Sequence, residues 1–409
     1  GAHDAVGLHF DQLVLGLESA TWDGSERLGL SSLVGQANIG GATLAPVKRL
    51  TCLGVLALTS ALVPVAQARG ATFYLAPEGD DAGNGSEAQP FFTLARAWQE
   101  VDVGDTIYLH GGTYAWSEQQ YLQGRNGAPG MLINVWAVPG ETPKLTMAGD
   151  YSGQDLIYFE GDFVHWKGLE FADFWPTMPS DFGWPAFRSG ASNDCVYEQL
   201  DYHHNRAGFS LRGASNNNLI LNSDFHHNAD PADNYDGTDG LDVHFIDAGV
   251  SNTIRGCRAY WNGDDGFDLW SNNGHVLIED SWAFFNGFIP DTFEEAGNGS
   301  GFKLGTANPS GELLREVHHN LSYRNRAWGF VENDAPIAMH LFNNTSAQNG
   351  GRNFWFGWGS GEGVIVRNNL AWGPAGADPS LDGLAVTFGA LSTLDHNTFA
   401  ADDVWSDLG

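Results

Sequence analysis

The chain has 409 residues, with 50 Asp and Glu against 19 Lys and Arg, so its formal net charge at pH 7 is −31. A charge of that sign repels phosphate backbones and anionic lipid, which argues against nucleic acid as a partner. Charged residues are only 17%, while glycines number 53 and aromatics reach 12%. That balance excludes coiled coil and disorder and suits many short strands joined by tight turns.

Residues 47–68 read as a secretory signal, with Lys48 and Arg49, an apolar run broken by Pro64, and the small-x-small ending Ala66-Gln67-Ala68. Cleavage is expected after Ala68, giving a protein secreted to an extracellular or periplasmic space, with no stable membrane association after processing. Residues 1–46 read as an upstream or mis-assigned segment. Cys52 falls inside the signal, and the remaining pair, Cys195 and Cys257, makes no disulfide framework. A monomer is expected.

From residue 70 a strand at 72–75 leads through a Gly/Asp/Asn-rich turn to a short helix near 93–101. Short apolar alternations follow at 106–109, 133–136, 156–159 and 163–171. A repeat begins near 193: an aromatic, then Asn, a loop, and Gly-aromatic-x-aliphatic. Its copies are Tyr202…Asn205…Gly208-Phe209-Ser210-Leu211, Phe225…Asn228…Gly240-Leu241-Asp242-Val243, Tyr260…Asn262…Gly266-Phe267-Asp268-Leu269 and Phe284…Asn286…Gly301-Phe302-Lys303-Leu304. Tyr323…Asn325…Gly329-Phe330 continues it. This period predicts an all-β fold, a right-handed parallel β-helix over 70–409, in which each coil buries its apolar face against the next. The short N-terminal helix is expected to cap the first coil. A second column, Ser223, Cys257, Ser281, Asn320 and Asn344, predicts a polar ladder at a turn, with Cys195 in a different column and out of bridging reach of Cys257. The chain ends soon after another coil-like segment at 394–397, an ending that reads as a truncated last coil.

Period-two alternation turns the Phe and Leu of Gly-Phe-x-Leu inward and the x residue outward. Stacked coils therefore place Asp242, Asp268 and Lys303 in one outward column. The preceding turns add Asp239, Asp264 and Asp265. Such a gathering of carboxylates calls for a cation, and hard oxygen donors point to Ca2+; the same residues also suit Gly-rich turns, where Asp is common. Only four lysines occur in the chain, Lys48, Lys144, Lys167 and Lys303, so one aligned with acids carries information. Trp270, two residues beyond Asp268, is a candidate either for stacking on a sugar or for covering a neighbouring coil, and Arg326 either for a surface ion pair, the favoured reading, or for binding a substrate carboxylate. The pairs His203-His204 and His226-His227 read as stacked turn histidines, with no acidic or Cys partner in the sequence around them.

The run Asn262-Gly263-Asp264-Asp265-Gly266-Phe267-Asp268-Leu269, with Gly297-Asn298-Gly299-Ser300-Gly301-Phe302-Lys303-Leu304-Gly305 and Thr238-Asp239-Gly240, resembles the calcium and lysine motifs of family-nine pectate lyases. The resemblance extends loosely from Thr72 to near Asn349 and is sharp between Asp239 and Gly305. It implies Asp239, Asp264, Asp265 and Asp268 as Ca2+ ligands and Lys303 as the base of a polysaccharide lyase acting on polygalacturonate, an acidic polysaccharide. Asp242 has no assured counterpart in the motif. Three other readings stay open on sequence: a β-helical glycoside hydrolase using Asp264 and Asp265, a lyase on another uronan such as alginate, and a carbohydrate-binding β-helix stiffened by calcium.

Overall fold

In a computed structural model of the chain, the described residues are 70–409 except 177–183, 306–308, 310–312, 334, 336, 357–362, 374–392, 402–403 and 408–409. The expected signal and the segment before it lie outside the described residues. Residues 70–409 fall within one compact unit.

Three ladders of short parallel strands build the domain. One runs from Thr72–Leu75 through twelve strands to Thr393–Asp395. A second runs from Glu170–Ala172 through Asp201–His203, Asp224–His226 and Arg258–Tyr260 to Thr398–Ala401. The third, which carries the site, comprises Pro185–Ser189, Ala207–Gly213, Leu241–Ile246, Phe267–Asp268, Phe302–Lys303, Phe330–Val331 and Phe354–Trp355. From Val164–Lys167 to Phe354–Trp355 each coil contributes one strand to each ladder. Long strands Gly112–Leu122 and Pro143–Phe159 begin the stack beneath the second and third ladders. Among the described strands, the pairing of Thr398–Ala401 with Val404–Asp407 is antiparallel.

The core follows from the alternation. Phe267, Phe302, Phe330 and Phe354 are buried and stack with ring centroids 4.9, 4.7 and 5.0 Å apart, close to the strand spacing. The repeat aromatics before each Asn divide between two columns, a finer pattern than the sequence repeat suggested. Tyr202 and Phe225, three residues before their Asn, point inward and pair in register with Ala259. Tyr260, Phe284 and Tyr323, two residues before theirs, form an outer column with His203 and His226. A one-residue offset in a strand reverses the face, so matching by residue type merged the two.

Corners are built by repeated left-handed residues. His204, His227, Trp261, Phe285, Arg324 and Gln348 have φ between +51° and +58°, and each directly precedes a ladder asparagine. The bend turns that asparagine inward, where it joins its neighbour one coil on. Nδ2 of Asn228, Asn262, Asn286 and Asn325 donates to Oδ1 of Asn262, Asn286, Asn325 and Asn349 at 2.9, 2.9, 2.8 and 3.0 Å. The second polar column also forms: Cys257 N donates to Ser281 Oγ at 3.1 Å, Ser281 N to Asn320 Oδ1 at 2.9 Å, and Asn320 Nδ2 to Asn344 Oδ1 at 3.0 Å. Cys195 sits on a separate ladder, its N–H donating to Asn218 Oδ1, and both cysteines are buried free thiols.

The helix is Leu94–Glu100. Thr93 caps it by accepting from Arg96 N, and Leu94, Ala97 and Trp98 are buried. Trp98 packs edge-on to Phe159 at 5.7 Å, so the helix covers the apolar start of the stack as expected.

Candidate active site

Strand Phe267–Asp268 lies in register between Leu241–Ile246 and Phe302–Lys303, so Asp242, Asp268 and Lys303 stand opposite one another on successive strands. The turn before this strand must press against the asparagine ladder. A Cβ on Gly266 would lie 2.7 Å from Gly301 O and 2.8 Å from Asn286 Nδ2, which accounts for glycine there. The compact turn delivers Asp264 and Asp265 beside the column, and its equivalent one coil earlier delivers Asp239.

Lys303 Nζ lies 3.0 Å from Asp265 Oδ2 and 2.9 Å from Asp268 Oδ2, and its side chain is 14% exposed. Asp239, Asp265 and Asp268 each offer an oxygen within 4.8 Å of the others. Asp239 Oδ1 also accepts from Asp265 N at 2.9 Å. Burial, then repulsion from Asp242, Asp264, Asp268 and Asp265, pushes the Asp239 carboxyl well above the usual carboxylate range. Burial acts the same way on Asp268, but attraction to Lys303 and His244 outweighs it and holds Asp268 well below that range. Burial opposes the charge on Lys303, yet Asp265, Asp268, Asp239 and Asp264 together hold the ammonium protonated well above an ordinary lysine.

Asp264 stands beside this gathering. Its Oδ2 accepts from Gly237 N at 2.9 Å and its Oδ1 from Asn298 N, so it ties two loops to the site. Burial and Asp265 push its carboxyl up to about 8, against the pull of Lys303 and these donors.

Residues 73–369 match the family described as Pel9A-like, right handed beta helix region. The chain belongs to this family. It is 34% identical over 381 residues to Pectate lyase L of Paenibacillus polymyxa (strain SC2), covering 86% of this chain and 80% of that protein. Pectate lyase PEL9 of Emericella nidulans is 28% identical, covering 85% and 87%. Among solved structures, a rhamnogalacturonan lyase superposes with a TM-score of 0.67 at 27% identity, covering 80% of this chain and 84% of that one. Pectate lyase Pel9A superposes with a TM-score of 0.63 at 27% identity, covering 80% and 79%. As a member of the Pel9A-like family, the chain is a polysaccharide lyase with a right-handed parallel β-helix fold.

The acids of this Pel9A-like chain fit a hard divalent cation. Asp242 Oδ1 is buried without a hydrogen bond, Asp265 Oδ2 is buried with the Lys303 ammonium beside it, and the oxygens of Asp239, Asp265 and Asp268 form a donor set of the calcium type. Asp239, Asp242 and His244 gather within the same limit. His244 is a residue that sequence reasoning missed. Its Nε2 lies 3.3 Å from Asp268 Oδ2 and its Nδ1 3.9 Å from Asp242 Oδ2. The signal was available, because His244 follows Asp242 by two residues and alternation turns it outward too.

Trp270 borders the site. Its N–H donates to Asp268 Oδ1 at 2.7 Å, and its half-buried ring lies edge-on to His244 at 6.0 Å and to Phe245 at 5.3 Å. Arg326 makes an ion pair and braces a loop: Nη1 lies 3.3 Å from Glu295 Oε2, and Nη2 donates to Asn298 O at 3.1 Å, on the residue whose N–H holds Asp264. The two histidine pairs do stack, His203 on His226 at 4.9 Å and His204 on His227 at 5.2 Å. Contrary to expectation they have acidic partners, Glu170, Asp201 and Asp291, brought in from other coils and from a distant loop.

Proposed function

We propose that the protein is a secreted, Ca2+-dependent pectate lyase that cleaves polygalacturonate by β-elimination, with Lys303 as the base. The observation that carries this reading is the Lys303 ammonium seated between Asp265 and Asp268, beside a gathering of buried acidic oxygens. Asp239, Asp265 and Asp268 would hold the cation, with Asp264 fixing the loops around them. Bound Ca2+ would supply charge stabilisation to the substrate's C6 carboxylate as the neighbouring C5 loses its proton.

Lys303 must be neutral to accept that proton. With the carboxylates alone it is held charged. Were Asp265 and Asp268 to hold a cation, their pull on Nζ would weaken and burial would favour the neutral amine. Nζ then takes the C5 proton, the C–H electron pair forms the C4–C5 double bond, and the C4–O bond breaks with the glycosidic oxygen leaving. The low exposure of Lys303 keeps water from competing for the amine. Export is supported by the signal pattern at 47–68, and N-terminal sequencing of protein from the culture medium tests it.

The decisive assay incubates the purified protein with polygalacturonate and follows the ultraviolet absorbance of unsaturated uronate. Absorbance that rises with calcium and stops on chelation is expected; new reducing ends without it would refute elimination. A second reading, a rhamnogalacturonan backbone as substrate, is favoured by the TM-score of 0.67 to a lyase of that name. Parallel incubation with rhamnogalacturonan separates the two.

A further inference from the structure

On the N-terminal side of Asp242 the outward column continues to Ser210 and then Arg188. Here the pairing slips. Leu211 opposes Val243 but Gly213 opposes Ile246, so Arg212 alone faces two residues, His244 and Phe245. A bulge of this kind re-aims side chains and is common beside active sites. It leaves Phe245 at φ +51°, a backbone conformation unfavourable for a bulky residue. The residue is nonetheless 36% exposed. Arg212 Cζ lies 5.2 Å from its centroid, and Trp270 meets its edge.

Arg212 is half-buried, and its Nε donates to the neutral Ser210 Oγ at 2.7 Å. Its Nη2 is buried without a hydrogen-bond partner. Asp155 is engaged elsewhere, by Arg188 Nη2 at 2.8 Å and Gln119 Nε2 at 3.2 Å. Among the described residues no carboxylate comes within 4.0 Å of Arg212, and Asp242 and Asp155 attract it only from farther away. A guanidinium held on an aromatic ring, with no contacting counter-ion, suits a ligand that brings its own carboxylate and a flat apolar face.

We propose that Arg212 and Phe245 form a subsite for a uronate residue of the polysaccharide remote from the bond under attack. Arg212 binds the carboxylate and Phe245 underlies the sugar ring. The rung of Ser210 lies three strands from that of Lys303, about 14 Å at ~4.8 Å per strand, so this subsite recognises the chain without touching the reacting atoms. The proposal rests on the reading of the substrate as an acidic polysaccharide.

The test measures binding by calorimetry in a Lys303→Ala background at fixed calcium, with hexagalacturonate and its fully methyl-esterified counterpart. Arg212→Gln is expected to weaken the acidic hexamer about tenfold and the ester less than twofold, since a charge-assisted pair is lost only with the acid. Arg212→Lys, which keeps the charge without the planar guanidinium, should recover only part of the loss. Phe245→Ala, which leaves the charge in place, should weaken both hexamers alike, and it gives a second test should Arg212→Gln fail to fold. Equal weakening of acid and ester by Arg212→Gln, no weakening, or no binding of either hexamer to the Lys303→Ala protein would overturn the proposal. Failure of the lyase reading is separate: wild-type protein would release no unsaturated ends while the hexamers still bound.

Discussion

The asparagine ladder and the acidic column are built by the same device, one residue per coil at the strand spacing, yet they differ in kind. Asn262, Asn286 and Asn325 are self-complementary, because an amide donates to one neighbour and accepts from the other, and all are buried. Asp242 and Asp268, with Asp239 beside them on the preceding turn, can only accept when ionised, and gathering them in the same buried setting sets like charges against each other. One column holds the fold together by repetition; the other is frustrated by it until a cation joins. The lesson is that an array of identical residues is structural when the residue satisfies itself and functional when it cannot.

Four changes would break or sharpen that contrast. Lys303→Ala removes the amine and should lower kcat by about 10²–10⁴-fold, measured by release of unsaturated ends, while the calcium-induced rise in melting temperature persists. Calcium at a hundred times its Kd should stabilise the protein by about 2.7 kcal/mol. Asp239→Asn should shrink that gain and raise the melting temperature in alkaline chelator, where the ionised carboxylate would be repelled by its neighbours; a lower temperature there would contradict the account. Asn286→Ala leaves Asn262 and Asn325 without their partner and should cost about 1–3 kcal/mol with or without calcium, by denaturant unfolding.

The smallest effect is on pH. Asp264 is raised to about 8 in the fold, so between the unfolded value near 3.9 and about 8 it holds a proton that the unfolded chain has lost, and Asp239, raised too, acts in the same direction. Their contribution therefore falls as pH rises through that window. Asp268 acts oppositely, contributing stability present above its unfolded value and lost as pH drops below it. Lys303 contributes stability that is full below the unfolded lysine value near 10.4 and fades only above it. In chelator the melting temperature should thus decline from about pH 5 to 8, and calcium should flatten the decline.

The alignment of Asp242, Asp268 and Lys303 was legible in the sequence because Gly-Phe-x-Leu fixes both face and coil, and neither depends on loop length. The polar columns were legible for the same reason, each being a constant offset from its strand. His244 obeys the same alternation, two residues past Asp242, whereas the aromatic columns were harder: the one-residue shift between Phe225 and Tyr260 leaves composition unchanged while altering which side a residue faces. The partners of His203, His226 and His227 come from residues 33, 25 and 64 positions away, a separation that local pattern does not reveal.

Cys195 and Cys257 lie on different ladders, and burial pushes both thiols up to about 12. Neither sulfur can meet an alkylating reagent until its own coil opens. The pair thus serves as a built-in clock: labelling at each position, followed through a denaturant jump, reports whether the coils unwind from one end in sequence or release together.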